Sequence, residues 1–319
     1  MEWSGQMKKI KDFCEKDRLE QPLLIKEVRN GTTNKGAPYL SLILQDSSGV
    51  IDAKFWDVKP EDTARIAVGR VAVFGFEVLL YNQNLQLRIN RVKDFEEGSV
   101  SLEEFVISSS RSENERKNEL NDLINSIKNP IYHQIVTAML DKIGEKYMTY
   151  PAASRIHHSY LGGLSEHSLS MARLADMICT HYPQLDRDLL IAGALLHDTG
   201  KTAEMSGPVT TEYTLEGKLE GHISIANGWL SETVAELHLE NTEEAILLHH
   251  MILSHHGHYE FGSPVLPMLQ EAEVLCLIDN LDARMNTLRT ALEATKPGMW
   301  TGKLFALENR QFYRPKGSE

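Results

Sequence analysis

An apolar helical run containing Leu189, Leu190, Ile191, Leu195 and Leu196 ends in His197-Asp198-Thr199-Gly200-Lys201. Neighbouring helical residues point about 100° apart, so His197 and Asp198 cannot share one apolar stripe. They can converge on an ion held where the helix ends, with the carboxylate free to bridge to a second. A glycine then breaks the helix and a lysine follows. Taken alone, such a pair is better explained by a polar helix end, the imidazole capping the last carbonyls and the carboxylate solvated. What else the chain supplies decides between the two.

A chain of 319 residues is long enough for two or three domains with buried cores. The net charge of −12 is unevenly placed. Residues 1–100 hold 15 basic and 15 acidic residues, and the remainder holds 18 and 30. All 13 histidines lie between His133 and His258. The chain therefore reads as a neutral, strand-rich head joined to an acidic, histidine-rich, helical body. Cys14, Cys179 and Cys276 are odd in number and far apart, which argues against a disulfide framework or a zinc ribbon. No signal peptide and no bilayer-length apolar run are evident, so the expected location is the cytoplasm, without a membrane partner.

In the head, after a charged helix or arm over residues 1–20, period-two alternation predicts five strands: Leu23–Val28, Tyr39–Leu44, Val50–Trp56, Arg70–Tyr81 and Leu85–Val92. A short helix fits the break at Pro60–Ala67, and Asn82-Gln83-Asn84 turns the last hairpin. Five short strands in this order suit a Greek-key β-barrel of the OB type. Such barrels stack bases on exposed aromatics beside basic side chains. The candidates are Tyr39, Phe55 and Trp56 with Lys35, Lys54 and Arg88, whereas Phe74 and Phe76 share a face that suits core packing. Zero net charge in the head argues against strong non-specific affinity. Lys35-Gly36, Tyr39 to Asp46 and Gly49 to Trp56 resemble the OB module of the tRNA-anticodon type over residues 23–92. That resemblance implies a ligand face on the second and third strands.

Glu96 to Glu119 is polar and serves as a linker or surface segment. Pro130 starts a helix with Ile131, Ile135, Met139, Leu140 and Ile143 on one face. From there to Thr295 the chain reads as helix, apart from a loop or small hairpin at Ser206–Gly217. Residues 296–319 carry Trp300, Phe305, Phe312 and Tyr313, a tail able to dock on the body or on a second copy of the chain. The expected divisions are an OB domain over 1–95, a helical connection over 96–129, a helical domain over 130–295 and the tail.

Asp279 lies in the apolar run Leu275-Cys276-Leu277-Ile278-Asp279-Asn280-Leu281. A carboxylate there is costly unless it is paired or bound to a cation; its bland alternative is a solvent-facing stripe shared with Asp282. With His197-Asp198 and further helical histidines it makes a nitrogen and oxygen donor set without thiolate. Such a set suits Mn, Fe, Co, Ni or Zn.

This arrangement closely resembles the HD superfamily of metal-dependent phosphohydrolases. The resemblance implies that His167, His197, Asp198 and Asp279 bind one divalent ion. It further implies that Lys201, His222 and the pair His255-His256 belong to a two-metal member in which Asp198 bridges. His249-His250 rivals His255-His256, which is preferred because Gly257 ends its helix and leaves both rings free to converge. With the OB module ahead, Gly162-Gly163-Leu164-x-Glu166-His167 and Leu253-Ser254-His255-His256-Gly257 look like the YhaM-type 3′→5′ exoribonucleases from about residue 20 to 295. That implies hydrolysis at the 3′ end of single-stranded RNA, with single-stranded DNA as a second substrate. Mn²⁺ would be the first choice of ion, with Co²⁺, Fe²⁺, Ni²⁺ or Zn²⁺ as alternatives. Asp198 and Lys201 would be the catalytic pair, the lysine holding a phosphate oxygen. Two other readings stay open: a phosphohydrolase of small nucleotides or cyclic dinucleotides, and a non-enzymatic RNA-binding scaffold. The cyclic-dinucleotide reading is weakened because His258-Tyr259-Glu260, not Gly-Tyr-Pro, follows Gly257.

Overall fold

The computed structural model describes residues 7–32, 36–56, 58–81, 84–95, 104–106, 109, 111–153, 160–207 and 211–317. The chain divides into two compact units, Met1–Ser108 and Ser109–Glu319.

In the first unit the alternating pattern becomes β1 (Arg18–Thr32), β2 (Pro38–Asp46), β3 (Gly49–Trp56), β4 (Val71–Tyr81) and β5 (Asn84–Asp94), with the one-turn helix α1 (Pro60–Thr63) before β4. The strands close into a barrel in the order β1-β2-β3-β5-β4. All pairs are antiparallel except β3 with β5. This is the five-stranded Greek-key barrel of the OB type. Phe74 and Phe76 are buried in its core. Phe55 is buried there too, at 3% exposure, which corrects its place on a ligand face. Period two puts Ile51, Ala53 and Phe55 inside and leaves Asp52, Lys54 and Trp56 outside or half-buried.

β1 starts earlier than the apolar pattern predicts, at Arg18. Its first half pairs with β4 and its second with β2, across a bulge between Ile25 and Glu27 that lets one strand serve two partners. The polar start is held across strands, with Glu20 ion-paired to Lys93 (2.7 Å) and Arg91. The expected N-terminal helix shrinks to a 3₁₀ turn at Ile10–Asp12.

The second unit is helical: α2 (Glu113–Ser126), α3 (Pro130–Ile143), α4 (Lys146–Thr149), α5 (Gly163–His181), α6 (Arg187–Leu196), α7 (Lys201–Glu204), α8 (Leu215–Glu236), α9 (Glu243–Ser254) and α10 (Gln270–Glu293). Pro130 takes the first position of α3, where its missing N–H costs nothing, and the Asn129 side chain caps it. α6 is the core element. Every residue from Leu189 to Leu196 is buried, packed among α3, α5, α9 and α10. The buried Tyr147 hydroxyl donates to the Leu195 carbonyl at 3.0 Å, pinning the last turn of this helix.

Two stretches expected to be helical are not. Residues 160–162 lead into α5 through an N-cap Gly162, and residues 255–269 carry only the 3₁₀ turn Tyr259–Phe261. In the second, Pro264 and Pro267 prevent continuation of a helix. The loop after α7 is a small hairpin, with Met205 bridged to Tyr213. α2 packs against α3, α4 and α5, so the chain around 113–126 belongs to the helical unit. The tail folds back on α10: Arg284 pairs with Glu308 at 2.9 Å, and Arg314 donates to the carbonyls of Leu292, Glu293 and Thr295. Among the described residues no helix is long and apolar enough to cross a membrane.

Leu190→Ala is expected to lower the unfolding free energy by about 2–5 kcal/mol, read as the urea midpoint of the helical circular-dichroism signal. Trp56→Ala, on the barrel surface, should change the unfolding free energy of the barrel by less than about 0.5 kcal/mol, read from the urea unfolding of the β-sheet circular-dichroism signal.

Candidate metal centre

Six helix segments deliver polar groups to one point in the second unit. α5 carries His167, and the end of α6 carries His197 and Asp198. α7 carries Lys201 and Glu204, α9 ends at His255-His256, and α10 carries Asp279 and Asp282. α8 is kinked at Gly221, whose φ of +72° is open to glycine, so a fresh helical start falls on His222. Its free N–H goes to Glu204 Oε1 at 3.1 Å. Gly200 does not break a helix by its conformation, because its φ of −59° is helical. It is needed for space: a Cβ there would lie 2.1 Å from the His222 carbonyl oxygen. α6 ends one turn earlier, capped at His197.

The donors form two sets, His167 with His197 and Asp279, and His222 with His255 and His256, each within 4.8 Å of one another. Asp198 stands between them. Its Oδ2 lies 3.3 Å from His197 Nε2 and 3.8 Å from His167 Nε2. Its Oδ1 lies 3.6 Å from His222 Nε2 and 3.8 Å from His255 Nε2. Lys201 Nζ meets Oδ2 at 2.6 Å. Asp279 reaches His167 Nε2 at 3.1 Å.

Every one of the five rings is held by its other nitrogen. The Nδ1–H of His197 donates to Ala194 O (3.0 Å), that of His255 to Ile252 O (2.7 Å) and that of His256 to Phe261 O (2.6 Å). His167 Nδ1 meets Asp282 Oδ2 at 2.7 Å, and His222 Nδ1 meets Glu204 Oε1 at 3.0 Å. Carbonyls and carboxylates only accept, so each Nδ1 carries a proton, and in the neutral ring Nε2 turns a lone pair inward. The inward atoms His197 Nε2, His222 Nε2, His255 Nε2 and Asp198 Oδ1 are buried, with no hydrogen-bond partner among the described residues. Orphaned acceptors are costly in a protein interior. Divalent cations satisfy all of them, so the donor set fits a metal site.

Charge follows the same logic. Burial alone would raise the Asp198 pKa, but the Lys201 ammonium and the His197 and His222 rings hold it well below the usual carboxylate range. Burial opposes the Lys201 charge, and Asp198 more than restores it. Burial, with His197 and His256 beside it, pushes His255 well below the ordinary imidazole value, which keeps it neutral. Burial also works against a charged His167, yet Asp279 and Asp282 push it up to about 10. A cation is therefore favoured at that corner.

All eight residues expected at the centre are brought together. His249 and His250 are used elsewhere: His249 Nδ1 faces Asn227 Oδ1 at 2.7 Å, and His250 Nε2 accepts from the Met268 N–H at 2.9 Å. His157-His158 lie outside the described residues. Sequence reasoning missed Asp282 and Glu204, which orient His167 and His222, and Ser170, which donates to Asp282. The three-residue step from Asp279 to Asp282 was the available signal, since it puts both carboxylates on one helix face. Glu204 carried none.

On the barrel, Tyr39 and Trp56 stack with centroids 4.5 Å apart, and Trp56 is 42% exposed. Lys54 Nζ lies 5.5 Å from the Tyr39 centroid and donates to Ser41 Oγ at 2.6 Å. Arg88 stands opposite Lys54 in the parallel register and is ion-paired with Glu77. Lys35 lies outside the described residues.

Residues 164–284 match the HD domain family. The chain is similar to the 3′-5′ exoribonuclease YhaM of Bacillus subtilis (strain 168), 44% identical over 300 residues, covering 94% of this chain and 95% of the relative. It is also similar to the 3′-5′ exoribonuclease YhaM of Geobacillus sp. (strain WCH70), 44% identical over 301 residues, covering 94% and 92%. Among solved structures, the second OB-fold domain of replication protein A from Methanococcus maripaludis matches at 16% identity, 28% of this chain, 96% of that domain and a TM-score of 0.23.

Asp282→Ala is expected to weaken metal retention about 10- to 100-fold by freeing the His167 ring, and His249→Ala to leave it unchanged. Elemental analysis of dialysed protein checks both.

Proposed function

The chain belongs to the family of YhaM 3′-5′ exoribonucleases, and from that premise we propose that it shortens single-stranded RNA from the 3′ end by divalent-metal-dependent hydrolysis. Single-stranded DNA is a second substrate of the same site, and the role is RNA degradation. One observation carries the reading: the two oxygens of one buried carboxylate, Asp198, face two separate sets of inward imidazoles. His167, His197, Asp198 and Asp279 would hold one ion, and Asp198, His222, His255 and His256 a second. Mn²⁺ suits this nitrogen and oxygen set, as do Co²⁺, Fe²⁺, Ni²⁺ and Zn²⁺. Ions bound there supply Lewis acidity, which activates water at neutral pH and neutralises charge on the phosphate and the leaving oxygen.

The chain's own residues do the rest. Lys201, charged and 12% exposed at the cavity wall, would hold a non-bridging phosphate oxygen. Asp282, Glu204 and three backbone carbonyls keep the five rings aimed, so no reorganisation is spent when substrate arrives. The helical part carries the chain's whole negative charge, and a polyanion enters such a unit only with cations in place. The barrel would hold the strand: bases stack on Trp56 and Tyr39, with Lys54 and Arg88 beside the phosphates.

The test is a time course on a 5′-labelled single-stranded RNA with Mn²⁺, with and without EDTA. A ladder that shortens from the 3′ end, stops with EDTA and is absent in Asp198→Ala is the expected result. An Asp198→Ala variant of undiminished rate overturns the mechanism, and RNA left intact under every metal turns the search to small nucleotides. Lys201→Ala should lower kcat by about 10²–10³-fold. Trp56→Ala should weaken RNA binding by about 1–3 kcal/mol, measured by fluorescence anisotropy at fixed salt.

A further inference from the structure

Two aromatic residues at the cavity of the metal centre have no part in holding ions or phosphate. The cavity has a volume of about 530 Å³, and Lys201, His222, His255, His256 and Asp279 are among the residues that line it. Tyr213 and Phe261 also line it. Both aromatics are exposed, 48% and 63%. Rings that are both solvent-exposed and on the lining of a cavity are available to a ligand that enters it.

The backbone of each residue is tied to a group that aims a histidine. Tyr213 bridges to Met205, the residue after Glu204, whose carboxylate holds His222. Phe261 ends the 3₁₀ turn Tyr259–Phe261, closed by Gly262 at φ +96°. Its carbonyl accepts the His256 Nδ1–H at 2.6 Å, and its ring packs edge-on to His258 with centroids 5.2 Å apart. The backbone that carries both rings is thus tied to the groups that aim His222 and His256.

Beyond the bound ions, side-chain charge supplies little of the affinity of this cavity for a strand. Lys201 is the one lysine or arginine among its described lining residues, and phosphate binding by neutralisation needs several. Stacking supplies affinity without charge and tolerates any base, because every base has a π-face.

We propose that Tyr213 and Phe261 form a stacking platform for the terminal bases of a single strand, next to the bond that is cut. The proposal rests on reading the metal centre as the hydrolytic site. It gives the centre a grip on the end of the strand that is separate from the barrel.

The test uses the full-length protein with Mn²⁺ and two substrates, an ordinary single-stranded RNA and one whose 3′-terminal nucleotides lack bases. Phe261→Ala should raise KM for the ordinary RNA on the order of 10-fold, with a smaller change in kcat. That penalty should shrink to about twofold on the baseless end, where no stack exists to lose. Tyr213→Ala should behave the same way, and Phe261→Trp should restore KM. Equal metal content in Phe261→Ala and wild type shows that the His256 tether, which runs through the backbone carbonyl, is intact. An unchanged KM for both alanine variants overturns the platform, and so does an equal penalty on both RNAs. Failure of the underlying reading looks different: Asp198→Ala would then cut both substrates at the wild-type rate.

Discussion

The second unit depends on burying one carboxylate. Asp198 is 2% exposed, and an isolated charge so placed would be untenable. α6 carries it there because that helix is apolar all round and has no solvent-facing side, so whatever follows Leu196 is delivered to the interior. Lys201 meets Oδ2 from the next turn, which leaves Oδ1 and the surrounding imidazole nitrogens as the unsatisfied remainder. The metal-binding capacity of the centre is that remainder. It follows from where α6 ends more than from any single ligand.

Two helices solve the orientation problem in one way. α6 and α9 each end in a histidine whose Nδ1–H donates to the carbonyl three residues back, Ala194 for His197 and Ile252 for His255. Helix C-termini leave carbonyls without intrahelical partners. Here those orphans become the tethers that fix the tautomer and turn Nε2 inward. Where no helix end is available, carboxylates take over: Asp282 behind His167 and Glu204 behind His222. The carbonyl route adds no charge to the centre. The carboxylate route adds negative charge and favours a cation beside it.

The barrel separates its core from its surface by strand parity. Inward residues of β3 fill the core and outward ones carry the Trp56 ring and the Lys54 ammonium, with Tyr39 and Arg88 alongside from β2 and β5. A one-residue slip would exchange Phe55 for Trp56, so the same register that makes the core also sets which side chains the surface carries.

Much of this was legible without coordinates. Period two predicted the five strands of the barrel, and the apolar run into His197-Asp198 predicted a helix ending in an imidazole and a carboxylate. Asp279 stood out because a carboxylate amid Leu275, Leu277, Ile278 and Leu281 needs a partner. Three things were decided only by tertiary packing. Parity along β3 is visible in sequence, but whether Phe55 or Trp56 faces the core depends on the closure of β3 against β5. The choice of His255-His256 over His249-His250 depends on which pair finds Asn227 and the Met268 N–H across a helix boundary. Asp282 and Glu204 are ordinary acidic residues in sequence, and they become ring-orienting groups only because α10 packs on α5 and α7 packs on α8. Local periodicity sets which residues share a face. The long-range contacts that set what that face meets have no signature in a single chain.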